Sequence, residues 1–575
     1  MKTKKLIAVL LVLAMSVMMF TACGSKDNGT KGKDDNGTPS NAENGTSGDT
    51  ETDTGAETET ENKESLYPGT PGENEITVNI AAEPPEMFTV TTTDSTSFTV
   101  IRHVIENLVM LDADNQPIPG VAKEWKVSDD GLTYNFYLRD NMKWSNGEPV
   151  TAHDFVFAWK SLLNPDFAAD YAYFGYVFKN GEKFYKGEVG EDELGFKAVS
   201  DYELEITLEN ASTYFVSQLA FGVFAPLNEK AYNEFGDAYG TDADKMVYNG
   251  AYTMTSWEHE NKIVLEKNPD YWDADNVSLQ KINMVMIKES NAALNAYKAG
   301  EADMIGVNGE QVEMLKAEGE PIYTYDDGAV AYLEFNLKDP YLQNKNLRKA
   351  IACAVDKQAF VTAILKNNSK PATSFTSPAI SGLNDSFANE VGELVSVFDP
   401  EKAKEYYATA LDELGVDTVS LALIADDSDA AVDSAAFVQE QLRVNLGIDI
   451  KVENMPFKSR LARMSSKDFC MVFALWGPDY NDPMTYLDMF ETGNGNNHMS
   501  FANEAYDELL DKVRTELDPA TRMGYLADVE KLLMDELPIA PIYWRSRDYV
   551  TSNKIASGVV RTAFQDMNFR NVKLK

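Results

Sequence analysis

The segment "PGVAKEWKVSDDGLTYNFYLRDNMKWSNGEPVTAHDFVFAWKSL" (119–162) contains the signals of a strand and of a helix in close succession. Apolar and polar residues alternate over 132–140, directly after the turn residues of 129–131, which predicts a half-buried strand entered through a hairpin turn. A Gly/Pro turn follows, and Thr151 stands three residues before Asp154 in the pattern of a capping box, which predicts the start of a helix. A strand and a helix joined this closely indicate a mixed α/β chain.

The same mixture continues along the chain without a simple repeat. We predict one strand at 76–81, two strands within 249–272, and helices at 344–365, 401–414 and 433–447. The chain has 575 residues, of which 44% are apolar. Because this length exceeds that of one compact domain, we expect roughly two to four lobes.

The first 22 residues have the pattern of a signal peptide. Three lysines precede the run LIAVLLVLAMSVMMF (6–20), and Thr21-Ala22-Cys23 follows it. Fifteen mostly apolar residues are too few to span a bilayer comfortably but are typical of a signal-peptide core. We therefore predict a signal peptide over 1–22.

The segment 23–75 is rich in Gly, Ser, Thr, Asn, Asp and Glu and has few apolar residues. Such a composition cannot offset the entropy lost on ordering, so we predict a disordered acidic linker. The triplet NGT recurs at Asn28, Asn36 and Asn44. It matches a glycosylation sequon, although we interpret it as simple linker repetition.

Charge and motifs exclude several classes of function. The chain has 51 Lys+Arg against 92 Asp+Glu, a formal net charge of −41, which repels nucleic acid. The sequence has no HExxH, CxxC, GxSxG or P-loop motif, and its four histidines are scattered, so we expect no metal, no cofactor and no catalytic residue. Cys353 and Cys470 are either two thiols, which we favour, or one disulfide.

Five collinear blocks resemble one family, the oligopeptide-binding lipoproteins of ABC importers (extracellular solute-binding protein family 5, peptide/nickel type). Besides the opening segment, the blocks are "NGAYTMTSWEHENKIVLEKNPDYWD" (249–273), "LEFNLKDPYLQNKNLRKAIACAVDK" (333–357), "WGPDYNDPMTYLDMF" (476–490) and "LPIAPIYW" (537–544). The resemblance implies an α/β, two-lobed periplasmic-binding-protein-like fold with three domains, of the large cluster-C type. Thr-Ala-Cys also resembles a lipobox, which implies that Cys23 is acylated and anchors the protein to the outer face of the cytoplasmic membrane.

The resemblance further implies a domain division and a place for the ligand. Domain I combines 76–107, 233–343 and 545–575, domain II is 108–232, and domain III is 344–544. The ligand would lie between domains I and III, enclosed by hinge closure. The implied protein is a monomer that binds an oligopeptide and delivers it to the transmembrane subunits of an ABC permease.

In relatives that bind peptides, the aspartate of a W-x-x-D-Y pattern holds the α-ammonium of the ligand, and here that residue is Asp479. An ammonium group compensates a carboxylate that is enclosed in a dry cleft, and forms a charge-assisted hydrogen bond with it. The alternative is that Asp479 only begins a turn, which is a common use of aspartate. For Asp482 we predict a capping role at the helix that follows Pro483.

A binder of many peptides must contact the peptide backbone, which it can do by adding the ligand as a strand. The resemblance places this strand at 474–477 and a matching strand at 92–98. Gly477 would allow close approach of the ligand backbone. The full set of candidate ligand-binding residues is Asp479, Trp476, Gly477, Leu475, Tyr480, Phe457, Tyr332, Asn336, Thr93, Ser95 and Tyr173.

One position departs from the family pattern. Phe473 stands where relatives that prefer short peptides have an arginine for the ligand's C-terminal carboxylate, and the nearby loop 425–433 is acidic. This suggests longer peptides, peptides with basic side chains, or a cargo that is not a peptide. A surface receptor for signalling peptides or for another small solute is an alternative function, whereas a lipoprotein hydrolase is opposed by the absent motifs.

Overall fold

The computed structural model describes residues 64–113, 115–212, 214–565 and 567–575. The predicted signal peptide, Cys23 and most of the predicted linker lie outside the described residues. In the part of the chain that is described, every helix is too short or too polar to span a lipid bilayer.

Strands are distributed over the whole described chain. In chain order they are β1 (Glu75–Asn79), β2 (Val109–Leu111), β3 (Pro117–Pro119), β4 (Ala122–Val127), β5 (Thr133–Leu138), β6 (Phe196–Ser200), β7 (Glu203–Thr207), β8 (Tyr252–Glu258), β9 (Lys262–Lys267), β10 (Lys281–Val285), β11 (Met304–Val307), β12 (Tyr323–Phe335), β13 (Lys370–Pro371), β14 (Ala422–Asp426), β15 (Lys451–Met455), β16 (Met471–Trp476), β17 (Ile539–Thr551), β18 (Ile555–Ser557) and β19 (Lys573–Leu574).

Helices alternate with these strands, as expected for an α/β chain. They are α1 (Ser95–Val104), α2 (Ala152–Leu163), α3 (Gly181–Tyr185), α4 (Phe215–Gln218), α5 (Glu229–Phe235), α6 (Ser290–Lys298), α7 (Gly309–Glu318), α8 (Lys345–Ala354), α9 (Lys357–Ala359), α10 (Phe387–Val391), α11 (Pro400–Leu414), α12 (Asp429–Leu446), α13 (Phe457–Ser465), α14 (Met484–Leu487), α15 (Glu504–Thr515) and α16 (Pro519–Glu536).

The elements predicted from periodicity are confirmed. β5 buries Tyr134, Phe136 and Leu138 on one face and pairs with β4 across the predicted hairpin turn. The capping box precedes α2, where the backbone N–H of Thr151 donates to Asp154 Oδ2 at 2.7 Å. The three predicted helices in the second half also form, although the first of them breaks after α8 and continues as α9 and a π-helical turn.

One large sheet runs through most of the molecule. Its strand order is β15-β14-β16-β12-β17-β11-β1-β10-β9-β8, with β13 paired to β17. β12 and β17 are thirteen residues long each and pair with strands on both sides of the order, so they connect the β14–β16 half of the sheet to the β8–β11 half. A second, four-stranded sheet, β4-β5-β7-β6, stands apart from it.

The pairing of β12 with β17 is interrupted by a bulge between Asp326 and Val330. Gly328 lies within the bulge at φ +73, and its carbonyl accepts a hydrogen bond from the Tyr486 hydroxyl at 2.6 Å. Asp327 is buried there, accepts a hydrogen bond from Arg545 Nε of β17 at 2.8 Å and forms an ion pair with the same guanidinium. The bulge is therefore a fixed feature at the point where the two halves of the sheet meet.

The predicted disordered linker ends earlier than expected, because residues 64–75 pack on the folded body. The Ser65 hydroxyl donates to Glu320 Oε1 at 2.6 Å, and the Thr70 backbone N–H donates to Asp303 Oδ1 at 2.9 Å. The prediction of disorder is wrong for this part. Composition does not reveal this order, because the segment is held mainly by the hydrogen bonds that it donates to carboxylates buried in the folded body.

Cys353 and Cys470 are both free thiols. Burial raises the pKa of the Cys470 thiol to about 12 and raises that of Cys353 as well. The prediction of two thiols is confirmed.

The bulge allows a test of how strictly the sheet needs Gly328. A Cβ atom at this position would lie 2.6 Å from Cγ of Pro478, whereas one at Gly187, which has the same φ of +73, would have no neighbour within 4 Å. We expect Gly187→Ala to lower the free energy of unfolding by about 1–2 kcal/mol through backbone strain alone. Gly328→Ala should cost a further 1–3 kcal/mol, roughly, through the clash.

Urea unfolding of both variants measures this difference. Equal losses for the two variants would contradict the close approach between the bulge and Pro478.

Candidate ligand-binding site

One edge of β16 lacks a partner strand in the described structure. β12 pairs with all six residues of β16, whereas β14 pairs only with Met471 and Val472. The backbone of 473–476 therefore has a strand on one side alone. Gly477 follows, exposed, with open space where a Cβ would stand. An extended chain added here would satisfy the unpaired backbone groups.

The aromatic residues beside this edge are held in place by contacts. Trp476 is half-buried, its indole N–H donates to the Thr485 carbonyl at 2.7 Å, and its ring meets Tyr171 edge-on at 6.4 Å. Phe457 is half-buried at the start of α13, with the Arg460 guanidinium 5.3 Å from its ring centroid. Leu475 is half-buried at the edge of the core on the β14 side.

Asp479 lies in the loop that leaves β16, and its side chain is only partly satisfied. Oδ1 accepts a hydrogen bond from the Tyr171 hydroxyl at 3.4 Å, and Oδ2 is shielded from solvent without a donor among the described residues. Burial, together with the nearby charge of Asp488, raises the pKa of Asp479 well above its usual value. A carboxylate in this condition is stabilised by a cationic donor.

The rest of the loop is fixed independently of Asp479's carboxylate. Asp482 is predicted to cap α14, but the N-cap position is Pro483; Asp482 lies one residue earlier, and its Oδ1 accepts from the backbone N–H of Met484 at 3.0 Å. The same carboxylate forms a bidentate pair with Arg522 at 2.7 and 2.9 Å. The backbone N–H of Asp479 donates to the Thr485 hydroxyl at 2.8 Å. These contacts hold the loop without using the Asp479 carboxylate.

Tyr480 and Tyr173 lie on the same side of the loop as Asp479. Tyr480 stacks on Tyr214 at 5.4 Å and donates its hydroxyl to Asp488 Oδ2 at 3.4 Å. Tyr173, Asp479, Tyr480 and Asp488 all line one cavity of about 1320 Å³. The other predicted ligand-binding residues do not line this cavity.

Tyr332 and Asn336 are buried in β12 and just after it. The Tyr332 ring packs edge-on against Phe375 at 5.2 Å. The Asn336 amide donates to the carbonyls of Lys467 and Phe469 at 3.1 and 2.8 Å, and its oxygen accepts from a backbone N–H. In this structure Asn336 therefore fastens the end of β12 to the chain before β16, and its donors are not directed at a ligand.

The predicted strand over 92–98 is wrong, because α1 begins at Ser95. The side chain of Asp94 caps this helix by accepting from the Ser97 backbone N–H at 2.9 Å and from its hydroxyl at 2.6 Å. An aspartate followed by serine and threonine is a helix N-cap signal that the carry-over from relatives overrode. Thr93 is half-buried before the helix, and Ser95 is exposed at its start.

The Phe473 side chain is packed in the core. It is 4% exposed, and its ring stacks parallel to Phe360 at 6.0 Å in the core on the β14 side. A charged side chain at this position would be buried among apolar residues, so packing favours an apolar residue here.

Sequence reasoning missed a small buried polar cluster in which Glu334 and His498 lie side by side. Glu334 is fully buried, both of its carboxylate oxygens lack a donor among the described residues, and burial raises its pKa to about 8. His498 Nδ1 lies 3.8 Å from Glu334 Oε1, and burial lowers the pKa of this imidazole to about 4. The signal was present, since a glutamate interrupts the apolar run AVAYLEF of β12.

This cluster predicts a specific dependence of stability on pH. The folded-state pKa of Glu334, about 8, lies above the ordinary value of 4.5. The folded protein therefore keeps a proton that the unfolded chain releases, and stability falls as the pH rises between these values. We expect Glu334→Gln to remove this loss, so that the ligand-free variant exceeds wild type by up to about 3 kcal/mol at pH 7.

Urea unfolding at pH 7 and pH 5 provides the measurement. The advantage of the variant should shrink at pH 5, and an advantage of equal size at both values would contradict the assignment. Glu405→Gln, on the exposed face of α11, is the matched control.

Comparison with known proteins identifies the family. The profile described as "Bacterial extracellular solute-binding proteins, family 5 Middle" matches residues 116–498. The chain is 35% identical to the oligopeptide-binding protein OppA of Bacillus subtilis, over 88% of this chain and 93% of that protein. The structure of Listeria monocytogenes OppA bound to peptide superposes with a TM-score of 0.83 at 34% identity, covering 88% of this chain and 99% of the other.

A third relative was solved in two forms. The murein tripeptide binding protein MppA of Escherichia coli superposes with a TM-score of 0.80 in one structure and 0.58 in its unliganded open form. Both comparisons have 27% identity and cover 88% of this chain and 99% of MppA. The present structure is thus less similar to the open form of MppA. The chain belongs to the bacterial extracellular solute-binding proteins of family 5.

Proposed function

We propose that this protein is the extracytoplasmic substrate-binding lipoprotein of an ABC importer, which captures oligopeptides and delivers them to a membrane permease. The observation that carries the proposal is the shielded, unpartnered Oδ2 of Asp479 at the end of the open β16 edge. Relatives of closely similar fold are peptide-binding proteins by name, and one was solved with peptide bound.

In this proposal, two features of the site bind the parts that all peptides share, the α-ammonium group and the backbone. The α-ammonium pairs with Asp479, and the backbone of the first residues adds to the free edge over 473–476. Both contacts are independent of the peptide sequence, so one site can serve many ligands. Charge-assisted pairing supplies more energy per contact than the neutral backbone bonds.

Closure follows from the same contacts. Tyr171 reaches Asp479 from a distant part of the chain, and Lys458 Nζ similarly donates to the Pro85 carbonyl at 3.3 Å. A ligand that contacts both sides raises the population of the closed form. The proposed division is domain I (76–107, 233–343, 545–575), domain II (108–232) and domain III (344–544). It assigns β12 to domain I and divides β17 between domains III and I, so these two strands would connect the moving parts.

The proposed location rests on the first residues of the sequence. Cys23 would carry the lipid that holds the protein at the outer face of the membrane, since several acyl chains on one cysteine give a stable anchor. The proposed working form is a monomer without cofactor, metal or catalytic residue. In the described chain, no group of three or more His, Cys, Asp or Glu residues is arranged to hold a metal ion.

The ammonium contact predicts a selective loss of affinity. Asp479→Asn should weaken the binding of peptides with a free amino terminus by about 1.5–3 kcal/mol, the scale of a charged hydrogen bond. N-acetylated peptides of the same sequence should bind the variant and the wild type with similar affinity. Calorimetry measures both, with Asp412→Asn on the exposed face of α11 as the control. Equal losses for the two peptide classes would remove Asp479 as the ammonium partner.

The raised pKa of Asp479 predicts a maximum in the dependence of affinity on pH. Binding requires an ionised carboxylate, so affinity should rise as the pH increases through the pKa of Asp479 in the empty protein. It should fall again above the pKa of the peptide amine, about 8, because the ammonium is then lost. Titration across this range provides the measurement, and an N-acetylated peptide should lack the alkaline decline. A free-amine peptide whose affinity does not vary with pH would contradict the pairing.

A further inference from the structure

We propose that Asp488 and Tyr173 form a second cation site beside Asp479, so that the protein prefers peptides whose first residue has a basic side chain. This inference rests on the proposed function, since it needs the peptide amino terminus to lie at Asp479. It concerns the chemical class of ligand that the site selects.

Asp488 is a buried carboxylate with an open position. It follows α14, is 6% exposed, and accepts on Oδ2 the long hydrogen bond from Tyr480. Its Oδ1 has no donor among the described residues, although the residue lines the cavity. An acid buried in this way is costly unless a donor completes it.

Two further atoms on the wall of the same cavity are equally incomplete. The Tyr173 hydroxyl and Asp479 Oδ2 are shielded from solvent, and neither has a hydrogen-bond partner in the described structure. Tyr480 links the two carboxylates, because it follows Asp479 in sequence and donates to Asp488. Two of these three open atoms belong to acids, so a group that donates hydrogen bonds and carries positive charge completes them best.

The nearby arginines do not fill this role, because other carboxylates already hold them. Arg514 forms a bidentate pair with Glu491, both distances being 2.6 Å, and Arg522 pairs with Asp482 in the same manner. Burial raises the pKa of Asp488, and the positive charge of Arg514 acts in the opposite direction. Each pair is neutral by itself.

The number of carboxylates with an open oxygen then decides how many cations the site accepts. The two arginines are paired with their own acids, whereas Asp479 and Asp488 are the acids lining this cavity that keep a buried oxygen without a donor among the described residues. One α-ammonium compensates only one of them. A lysine or arginine at the first position supplies the second cation from the same Cα atom, so both acids are compensated by a single residue of the ligand.

The test compares peptides that differ only in their first residue. Peptides beginning with lysine, arginine, norleucine or glutamate, with an identical remainder, are titrated into wild type and Asp488→Asn by calorimetry. In wild type, the lysine and arginine peptides should bind at least about tenfold more tightly than the norleucine peptide, and the glutamate peptide should bind most weakly. Asp488→Asn should bring the lysine-to-norleucine ratio close to one. Tyr173→Phe should reduce the ratio by a few-fold.

A second comparison uses wild type alone and does not depend on the folding of a variant. Moving the lysine from position one to position three, at constant composition, should remove the advantage. An equal affinity for both arrangements, or a ratio that persists in a folded Asp488→Asn variant, would overturn the inference. If none of the four peptides binds wild type, the proposed function itself is wrong, so the two failures are distinguishable.

Discussion

The pairing of β12 with β17 is the constraint on which the rest of the structure depends. Each strand has thirteen residues and belongs to both halves of the large sheet. Because backbone hydrogen bonds fix the register, the position of β16 on one side and of β11 on the other follows from this pair. The bulge at Gly328 lies within the pair and contacts Pro478, next to Asp479. The proposed ligand site is thus attached directly to the element that joins the two halves.

Local patterns were sufficient to predict the regular elements. The alternation in β5 and the capping box of Thr151 and Asp154 are short-range signals, since all the interactions involved lie within a few residues. Asp479 and Trp476 were named by resemblance alone, and the structure places them together at the end of β16. Their role in binding stays a prediction, which the geometry supports through the open Oδ2 atom.

Most of the incorrect or missed predictions concern contacts between residues that are distant in sequence. Ser65 is ordered by Glu320, more than 250 residues away, and composition has no access to such a pair. Asp488 is notable only because Asp479 and Tyr173 share its cavity, which depends on how the segment 476–490 packs against the distant segment that contains Tyr173. The helix that begins at Ser95 is the exception, because its cap was visible locally and was overruled by analogy.

The hydrogen bond between Tyr171 and Asp479 joins two segments that are 308 residues apart in sequence. At 3.4 Å it is long, and its donor is a neutral phenol, so it compensates the carboxylate weakly. A charged donor forms a stronger hydrogen bond with the same carboxylate, so it can displace the phenol at little cost.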